Sequence, residues 1–331
     1  MRFILSIGLV ASCMLYGMDT QTLNIIQTYR TKGIQATQAM LENYLTQKDF
    51  WLGVLQDKDT DYGYYENADF LFVSDKSIPD LTLYAIKDGH LEKIKQTTAL
   101  VGSGKGNKRI EGDLTTPIGV YDITQRLSGL NQYYGPMAFA TSYPNIYDKA
   151  QKKTGYGIWI HGFPLDGNRE ELNTKGCIAI ENHVLNEYDK LIRNKKTLLI
   201  TYENTLKTAT KDELATILSD LYQWRDAWIK NDLNDYLAFY SDDFVRYDGM
   251  KIKSFRDYKK RVFDKKEQKT ILFSGINISP YPNEAGKNLF KISFSQDYSA
   301  YKNNQPTYTS NSKKELYVEL NNNKMSILTE K

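Results

Sequence analysis

The chain has 331 residues, a length typical of about two domains. Hydrophobic residues make up 41% and aromatic residues 13%, which is enough to bury real cores, and a formal net charge of +3 gives no reason to expect nucleic-acid binding. With 25 tyrosines but three histidines, the candidates for proton transfer near neutral pH are His90, His161 and His183.

The first residues have the pattern of a secretory signal. Arg2 precedes an apolar run over residues 3–16, and polar sequence begins at Asp19. The run is shorter than the ~20 apolar residues that span a bilayer, and it fits a signal-peptide core. We therefore predict a signal peptide over residues 1–18 and export of the protein. Cys13 follows Val-Ala-Ser, so its lipidation stays open.

Residues 19–67 are predicted to form a helical arm, because apolar residues recur at three- to four-residue steps with a break near Gly33. The stripe consists of Leu23, Ile26, Ile34, Met40, Leu41, Tyr44 and Leu45. An amphipathic stripe far from a core needs cover, so we expect a homodimer through this arm.

The remaining sequence divides into two patterns. Over residues 68–203, short β-type runs separated by Gly, Asp and Asn predict a mainly-β domain: FLFVS, LTLYAI, IGVYDI, YGIWIHG, GCIAI and TLLITY. After the polar link ENTLKTAT, residues 208–331 begin with an amphipathic helix containing Trp224 and Trp228, continue with a second short helix, and end in alternating strands. The predicted fold is multidomain α+β.

The stretch NTKGCIAIEN, residues 173–182, carries Cys177, the one cysteine left after removal of the signal. Exported proteins usually pair their cysteines, so an unpaired one suggests an intermolecular bridge or a reactive thiol. Side chains alternate along a strand, so GCIAI points its isoleucines one way and Cys177 the other. GIWIHG likewise places His161 and Trp159 opposite Ile158 and Ile160. Cys177 and His161 should therefore face a shared cleft.

This pair has the chemistry of covalent catalysis. A free thiol has a pKa of ~8.5 and needs a base at neutral pH, and an imidazole can take its proton and return it to a leaving amine. Gly176 would let backbone amides approach an oxyanion, and the carbonyl of Gly162 could orient the imidazole. Residue types and faces alone leave a catalytic pair and ordinary packing both open.

Three ordered motifs resemble the YkuD-type L,D-transpeptidase domain: GDLTTPIGVYDI, GIWIHG and TKGCIAIEN. The matching positions are Thr116, Pro117, Gly119, Tyr121, His161, Gly162, Thr174, Gly176 and Cys177. The resemblance implies Cys177 as nucleophile, His161 as base and the Gly162 carbonyl as its orienter, acting on peptide stems of bacterial peptidoglycan. For the oxyanion it suggests the backbone at Gly176 and Lys175.

We further expect substrate contacts from Trp159, Tyr134, Thr174 and Lys175. Lys175 stands where the family usually has a histidine and Ala179 where it has an arginine, which bears on whether a second stem or water accepts the acyl group. The last section resembles an NTF2-like cone. The whole chain is similar to periplasmic L,D-carboxypeptidases that set helical cell shape in curved Gram-negative bacteria, which implies hydrolysis of tetrapeptides to tripeptides.

Alternative functions follow from the same residues. A transpeptidase would share every catalytic residue, and a wall-binding scaffold would leave the thiol incidental. A zinc site from His161, Cys177 and His183 is conceivable, but His183 opens an amphipathic helix as a surface residue would, so we predict no metal and no cofactor. The loop VGSGKGNK lacks the spacing of a phosphate-binding loop.

Overall fold

The computed structural model describes residues 20–167 and 171–331, so the signal peptide predicted for residues 1–18 lies outside the described residues. The chain divides at residues 45 and 46 into two compact units. In the described part, every helix is too short or too polar to cross a membrane. Each unit is described by itself below.

The first unit is represented by one helix, and the second contains all other elements. The helix of the first unit has the break that was predicted near Gly33: this residue leaves helical geometry at φ 78° and ψ −178°. In chain order, the α-helices of the described residues are α1 (Thr20–Leu45), α2 (Lys48–Val54), α3 (Ile146–Ala150), α4 (Asn182–Ile192), α5 (Lys211–Ile229), α6 (Leu233–Leu237) and α7 (Ile252–Phe263).

The strands belong to the second unit. They are β1 (Tyr64–Tyr65), β2 (Phe70–Asp75), β3 (Asp80–Lys87), β4 (His90–Thr98), β5 (Gly119–Leu127), β6 (Ala138–Thr141), β7 (Trp159–His161), β8 (Ile178–Ala179), β9 (Thr197–Tyr202), β10 (Gln268–Pro280), β11 (Leu289–Lys302), β12 (Gln305–Asn321) and β13 (Lys324–Glu330).

Two sheets organise this unit. The first has the order β4-β3-β2-β9-β5-β6-β7-β8 and is mixed, because the pairs β2–β9 and β7–β8 are parallel. The second has the order β1-β10-β11-β12-β13 and is antiparallel. The predicted multidomain α+β fold is confirmed, with a mainly-β domain followed by helices and an antiparallel sheet.

The segment expected to form a long arm is split between the two units. Helix α2 packs against α5, where Trp51 stacks on Tyr222 at 5.5 Å and Lys48 pairs with Asp212 at 2.6 Å. Strand β1 joins the second sheet through β10. In the structure, residues 46–67 therefore belong to the larger unit, and α1 alone forms the smaller one.

The core of the first sheet lies beneath β7 and β8. Ile160, Ile178 and Ile180 are buried together with Phe72 and Tyr188. Ile158, expected on the same face as Ile160, instead packs with Tyr121 and Tyr143. The reason is that Gly157 has φ 69°, so regular strand geometry begins only at the following residues.

The two domains of the larger unit share a core and are joined by polar contacts. Tyr147 stacks on Tyr317 with centroids 5.2 Å apart, and the amide of Asn145 donates to Tyr281 Oη at 3.1 Å. Buried Lys291 of β11 donates to Asp122 of β5 at 2.7 Å. Burial lowers the pKa of Lys291, but Asp122 and Glu315 outweigh it and raise that pKa overall.

Candidate active site

The candidate site lies where the first sheet ends, at the short parallel pair of β7 and β8. Ile160 is opposite Ile178, and His161 is opposite Ala179. Continuing this register by one residue places Cys177, just before β8, beside Trp159. Because side chains alternate, Cys177 and His161 lie diagonally on the face opposite the buried isoleucines. The structure thus brings the two predicted catalytic residues onto one face.

The thiol of Cys177 is half-buried and held by two backbone groups. The amide of Trp159 donates to Sγ at 3.4 Å, and the thiol donates to the carbonyl of Gly157, also at 3.4 Å. Burial raises the pKa of this thiol, although the Trp159 amide and the Lys108 ammonium both act to lower it. The thiol is therefore neutral at rest, so the nucleophile role predicted for it would need a base during attack.

His161, the predicted base, lies on the same sheet face as this thiol. Nδ1 of His161 lies 2.7 Å from the carbonyl oxygen of Gly162. A carbonyl can only accept, so Nδ1 carries a proton, and in the neutral imidazole this leaves the lone pair on Nε2. The His161 side chain is only 1% exposed, more covered than an open cleft would leave it, because the ring of Tyr134 meets it edge-on at 5.1 Å. The Gly162 carbonyl thus lies within hydrogen-bond distance of the ring, and its role in orienting the imidazole stays a prediction.

Both glycines of the site are required by close approach. A Cβ on Gly162 would lie 2.0 Å from Oδ1 of Asn182 and 3.0 Å from Pro136. Gly176 has φ 128°, where side chains are strained, and a Cβ there would lie 2.9 Å from the carbonyl of Thr115. Gly162 thus lets Asn182 and Pro136 approach the end of β7, and Gly176 lets the Thr115 backbone approach the loop before Cys177.

Thr174 organises the loop that leads to the nucleophile. Its buried hydroxyl accepts from the Gly176 amide at 3.1 Å and donates to the Cys177 carbonyl at 2.6 Å. The Gly176 amide is thus engaged in the resting structure, so an oxyanion role for it stays a prediction. The same holds for a substrate contact by Thr174. Lys175, between them, is exposed.

Aromatic side chains form one wall of the site. Tyr134 and Trp159 are both half-buried, with ring centroids 5.2 Å apart in an edge-on arrangement. Burial raises the pKa of Tyr134, and the negative charge of a Cys177 thiolate would raise it further. The rings therefore lie next to the thiol and the imidazole, as the predicted substrate-binding role requires, and that role stays a prediction.

Sequence reasoning did not find a buried ion pair whose charge acts on Cys177. Lys108 is 3% exposed and donates to Asp113 at 2.6 Å and to the Ile110 carbonyl at 3.0 Å. This is the ammonium that acts to lower the pKa of Cys177. No motif marks it, since Lys108 reads as one of several surface charges in VGSGKGNKR.

The other histidines lie apart from this chemistry. His183 is largely exposed and lies 3.0 Å from a carboxylate oxygen of Glu181, and His90 lies 3.6 Å from Asp59. Across residues 20–167 and 171–331, no group of three or more His, Cys, Asp or Glu side chains is arranged to hold a metal ion.

Comparison with known proteins agrees with this geometry. The sequence profile of the YkuD L,D-transpeptidase catalytic domain matches residues 71–200, and that of the Cds6 C-terminal NTF2-like domain matches residues 216–331. The crystal structure of the helical cell shape determining protein Pgp2 from Campylobacter jejuni is 43% identical, with a TM-score of 0.80 over 86% of this chain and 99% of that one. The chain belongs to the Pgp2-like family of YkuD-domain proteins.

Two further comparisons extend this result. A point mutant of the same Campylobacter protein gives 41% identity and a TM-score of 0.82 over 87% of this chain and 99% of that one. Bd1075 from Bdellovibrio bacteriovorus shares the fold at 23% identity, with a TM-score of 0.64 over 82% of this chain and 96% of that one. A search of curated protein sequences gave no match. The predicted membership of the YkuD-type family and the NTF2-like third section are confirmed.

Proposed function

We propose that the chain is an exported, periplasmic peptidoglycan L,D-carboxypeptidase that removes the terminal D-alanine from tetrapeptide stems to leave tripeptides. The observation that carries the proposal is the placement of the half-buried thiol of Cys177 on the same sheet face as His161, whose Nδ1 is held by the Gly162 carbonyl. Membership of a family with a YkuD catalytic domain supports peptidoglycan stems as the substrate class.

The reaction proceeds in two halves. Nε2 of His161 takes the thiol proton as Cys177 Sγ attacks the carbonyl that precedes the terminal D-alanine. The imidazolium then gives this proton to the amine of D-alanine as the C–N bond breaks, leaving a thioester. Water, deprotonated by the same imidazole, attacks the thioester and releases the tripeptide carboxylate and the thiol. The backbone amides at Lys175, Gly176 and Cys177 are the donors proposed for the oxyanion.

Hydrolysis is favoured over transfer by the two departures from the family pattern. Ala179 is completely buried and pairs with Leu100 through both its amide and its carbonyl, so this position offers no charged group to an acceptor stem. Lys175 is exposed beside the nucleophile loop, where its ammonium can meet a carboxylate of the substrate. The second candidate, transpeptidation, has the support of the family profile and uses the same catalytic residues.

The biological role follows from the relatives. Pgp2 of Campylobacter jejuni is described as a helical cell shape determining protein. We propose that this chain likewise contributes to cell shape, by trimming stems and so limiting which of them can be cross-linked. A homodimer through the arm remains part of the proposal, and light scattering of the mature protein reports its mass directly.

The test is mass spectrometry of tetrapeptide muropeptides incubated with the protein and with its Cys177→Ala variant. Tripeptide and free D-alanine, absent with Cys177→Ala, are the expected products. The matched control is Lys302→Gln, an exposed lysine in the NTF2-like domain, which should behave as the unaltered protein. Cross-linked dimers would assign a transpeptidase. Unchanged muropeptides with every protein would favour a wall-binding scaffold.

A further inference from the structure

A polar cleft of about 580 Å³ lies between the catalytic domain and the NTF2-like domain, and neither Cys177 nor His161 lines it. One wall comes from β5, the residue after β6, the residue before β9 and the segment before β2, and the other comes from β10, β11 and β12. The side chains used below are Asp122, Ser142 and Lys196 on the first wall and Ser293, Ser295, Lys313 and Glu315 on the second.

The cleft lies where the interface between the catalytic domain and the NTF2-like domain lacks long side chains. Lys291, Ser293 and Ser295 of β11 share one face of the sheet, opposite Tyr317, Glu315 and Lys313 of β12. At one end of this face, Lys291 reaches Asp122 and Tyr317 stacks on the catalytic domain, so the two domains touch. The next residues on this face of β11 are Ser293 and Ser295. Their side chains are too short to reach the catalytic domain, so the two domains separate there.

The charges around the cleft are unequal. Lys196, Lys313 and Lys331 carry positive charge at its lining, against the carboxylates of Asp122 and Glu315. Lys314 also lines the cleft, but alternation along β12 turns its side chain to the other face of the sheet. Both carboxylates are already engaged by Lys291, at 2.7 Å and 4.0 Å. Lys196 donates to Oδ1 of Asn67 at 2.7 Å, and within the described residues the ammonium of Lys313 has no hydrogen bond or ion pair. The cleft therefore presents positive charge without a matching anion.

The lysines are close enough to affect one another. Burial lowers the pKa of Lys196, and the charges of Lys313 and Lys291 lower it further, while Asp122 acts in the opposite direction. Bringing an anion between Lys196 and Lys313 would offset this repulsion, since each ammonium keeps donors available for it.

We propose that this cleft binds a small anionic sugar, with Lys196 and Lys313 holding its carboxylate or phosphate and the hydroxyls of Ser293, Ser295 and Ser142 contacting the ring. Its volume lies within the range of ligand sites, and its lining of hydroxyls and lysines suits a hydrophilic ligand rather than an apolar one. Lysine ammonium groups act as point charges, so they accept carboxylate and phosphate alike. The site is independent of the proposed hydrolysis.

Isothermal titration calorimetry on the full mature chain at low salt tests this proposal. The probes are N-acetylmuramic acid, which carries a carboxylate, glucose 6-phosphate, which carries a phosphate, and neutral N-acetylglucosamine. We expect at least one anionic probe to bind and the neutral sugar to bind far more weakly. Substituting Lys196→Gln together with Lys313→Gln should weaken that binding about tenfold or more, because it removes two charge-assisted contacts.

The control is Lys253→Gln together with Lys302→Gln, which removes the same charge from exposed positions outside the cleft and should leave binding unchanged. Lys313→Gln alone is a second variant that removes no described bond, so the fold is kept and a loss of binding reports on the cleft. The anionic probe that binds tells a carboxylated from a phosphorylated sugar. No binding by either, equal binding of the neutral sugar, or unchanged binding by the Lys196 and Lys313 variants would each overturn the proposal.

Discussion

The catalytic domain and the NTF2-like domain form one compact unit, yet they place their polar groups in opposite ways. In the catalytic domain the predicted catalytic side chains lie at a break in the sheet, where β7 has three residues, β8 has two, and glycines flank both. In the NTF2-like domain the strands β10 to β12 run for 13 to 17 residues, and a buried lysine, Lys259, lies among aromatic rings. Side chains at a sheet break stand next to glycines and short strands, so a sequence motif can reveal them. A buried charge inside a regular helix or strand has no such motif around it.

The largest expected effect is a loss of turnover when His161, the proposed base, is substituted. His161→Gln keeps the size of the side chain but removes proton transfer, so the turnover number for D-alanine release should fall on the order of 10²–10⁴-fold. Rates of release from a tetrapeptide measure it. The control is His183→Gln, a largely exposed histidine, which should keep full activity. A His161→Gln enzyme with near-normal turnover would remove the histidine from the mechanism.

In the NTF2-like domain the largest expected effect is on stability. The ammonium of Lys259 lies 4.4 Å from the ring centre of Trp228, and burial lowers its pKa to about 8. Because this pKa is below the ordinary value near 10.5, the unfolded chain binds the proton more tightly, and stability rises as pH increases from about 8 toward 10.5.

Between pH 7 and pH 9.5 this linkage corresponds to a gain of about 2 kcal/mol in the free energy of unfolding. Lys259→Met should lose that gain, and denaturant unfolding of both proteins at the two pH values measures the difference. Lys253→Met, on the exposed side of the same helix, is the control. An equal pH dependence in the Lys259→Met variant and the unaltered protein would show that Lys259 is not the group responsible.

The sequence predicts the motifs at the sheet break better than it predicts the contacts between distant elements. The predicted catalytic motifs were readable because His161 and Gly162 lie at the end of the apolar strand β7, and Gly176 and Cys177 lie just before the apolar strand β8. Strand β4 was missed, because HLEKIKQTT is mostly exposed and lacks a buried face. Strand β6, with four residues, is too short to show a period.

Long-range polar partners could not be predicted at all. Lys291 of β11 meets Asp122 of β5, and this contact depends on how separate elements pack rather than on any local spacing. The same is true of residues 46–67, whose helical pattern is correct for α2 but carries no sign that α2 packs on α5 rather than continuing the arm. Periodicity predicts which face of a helix is buried, but it does not predict which element that face packs against.

A smaller effect is expected from the backbone of the nucleophile loop. Gly176→Ala should destabilise the protein by about 1–3 kcal/mol, because its φ of 128° is nearly restricted to glycine and the new methyl group would lie 2.9 Å from the Thr115 carbonyl. Thermal unfolding and D-alanine release measure both consequences. Gly112→Ala is the matched control, with a φ of 79° but no atom within 4 Å, so it should cost less and keep activity. Equal costs for the two would rule out the contact with Thr115.

The smallest expected effect is on the reactivity of the resting thiol. Burial raises the pKa of Cys177, so iodoacetamide should modify it more slowly at pH 7 in the folded protein than in the unfolded chain, and the rate should keep rising above pH 8.5. Mass spectrometry of the modified protein over a pH series gives these rates. Faster modification of the folded protein below pH 8 would indicate a thiolate already formed at rest, in an ion pair with His161.

The most direct test of the central claim is hydrolysis of a tetrapeptide stem in water enriched in ¹⁸O. If Cys177 forms a thioester that water opens, the tripeptide should gain one ¹⁸O in its new carboxylate, with one free D-alanine released for each, and Cys177→Ala should give neither product. A product that lacks the label and is joined to a second stem would contradict hydrolysis and assign the acyl group to a peptide acceptor. Labelled tripeptide formed equally by Cys177→Ala would contradict the role of the thiol.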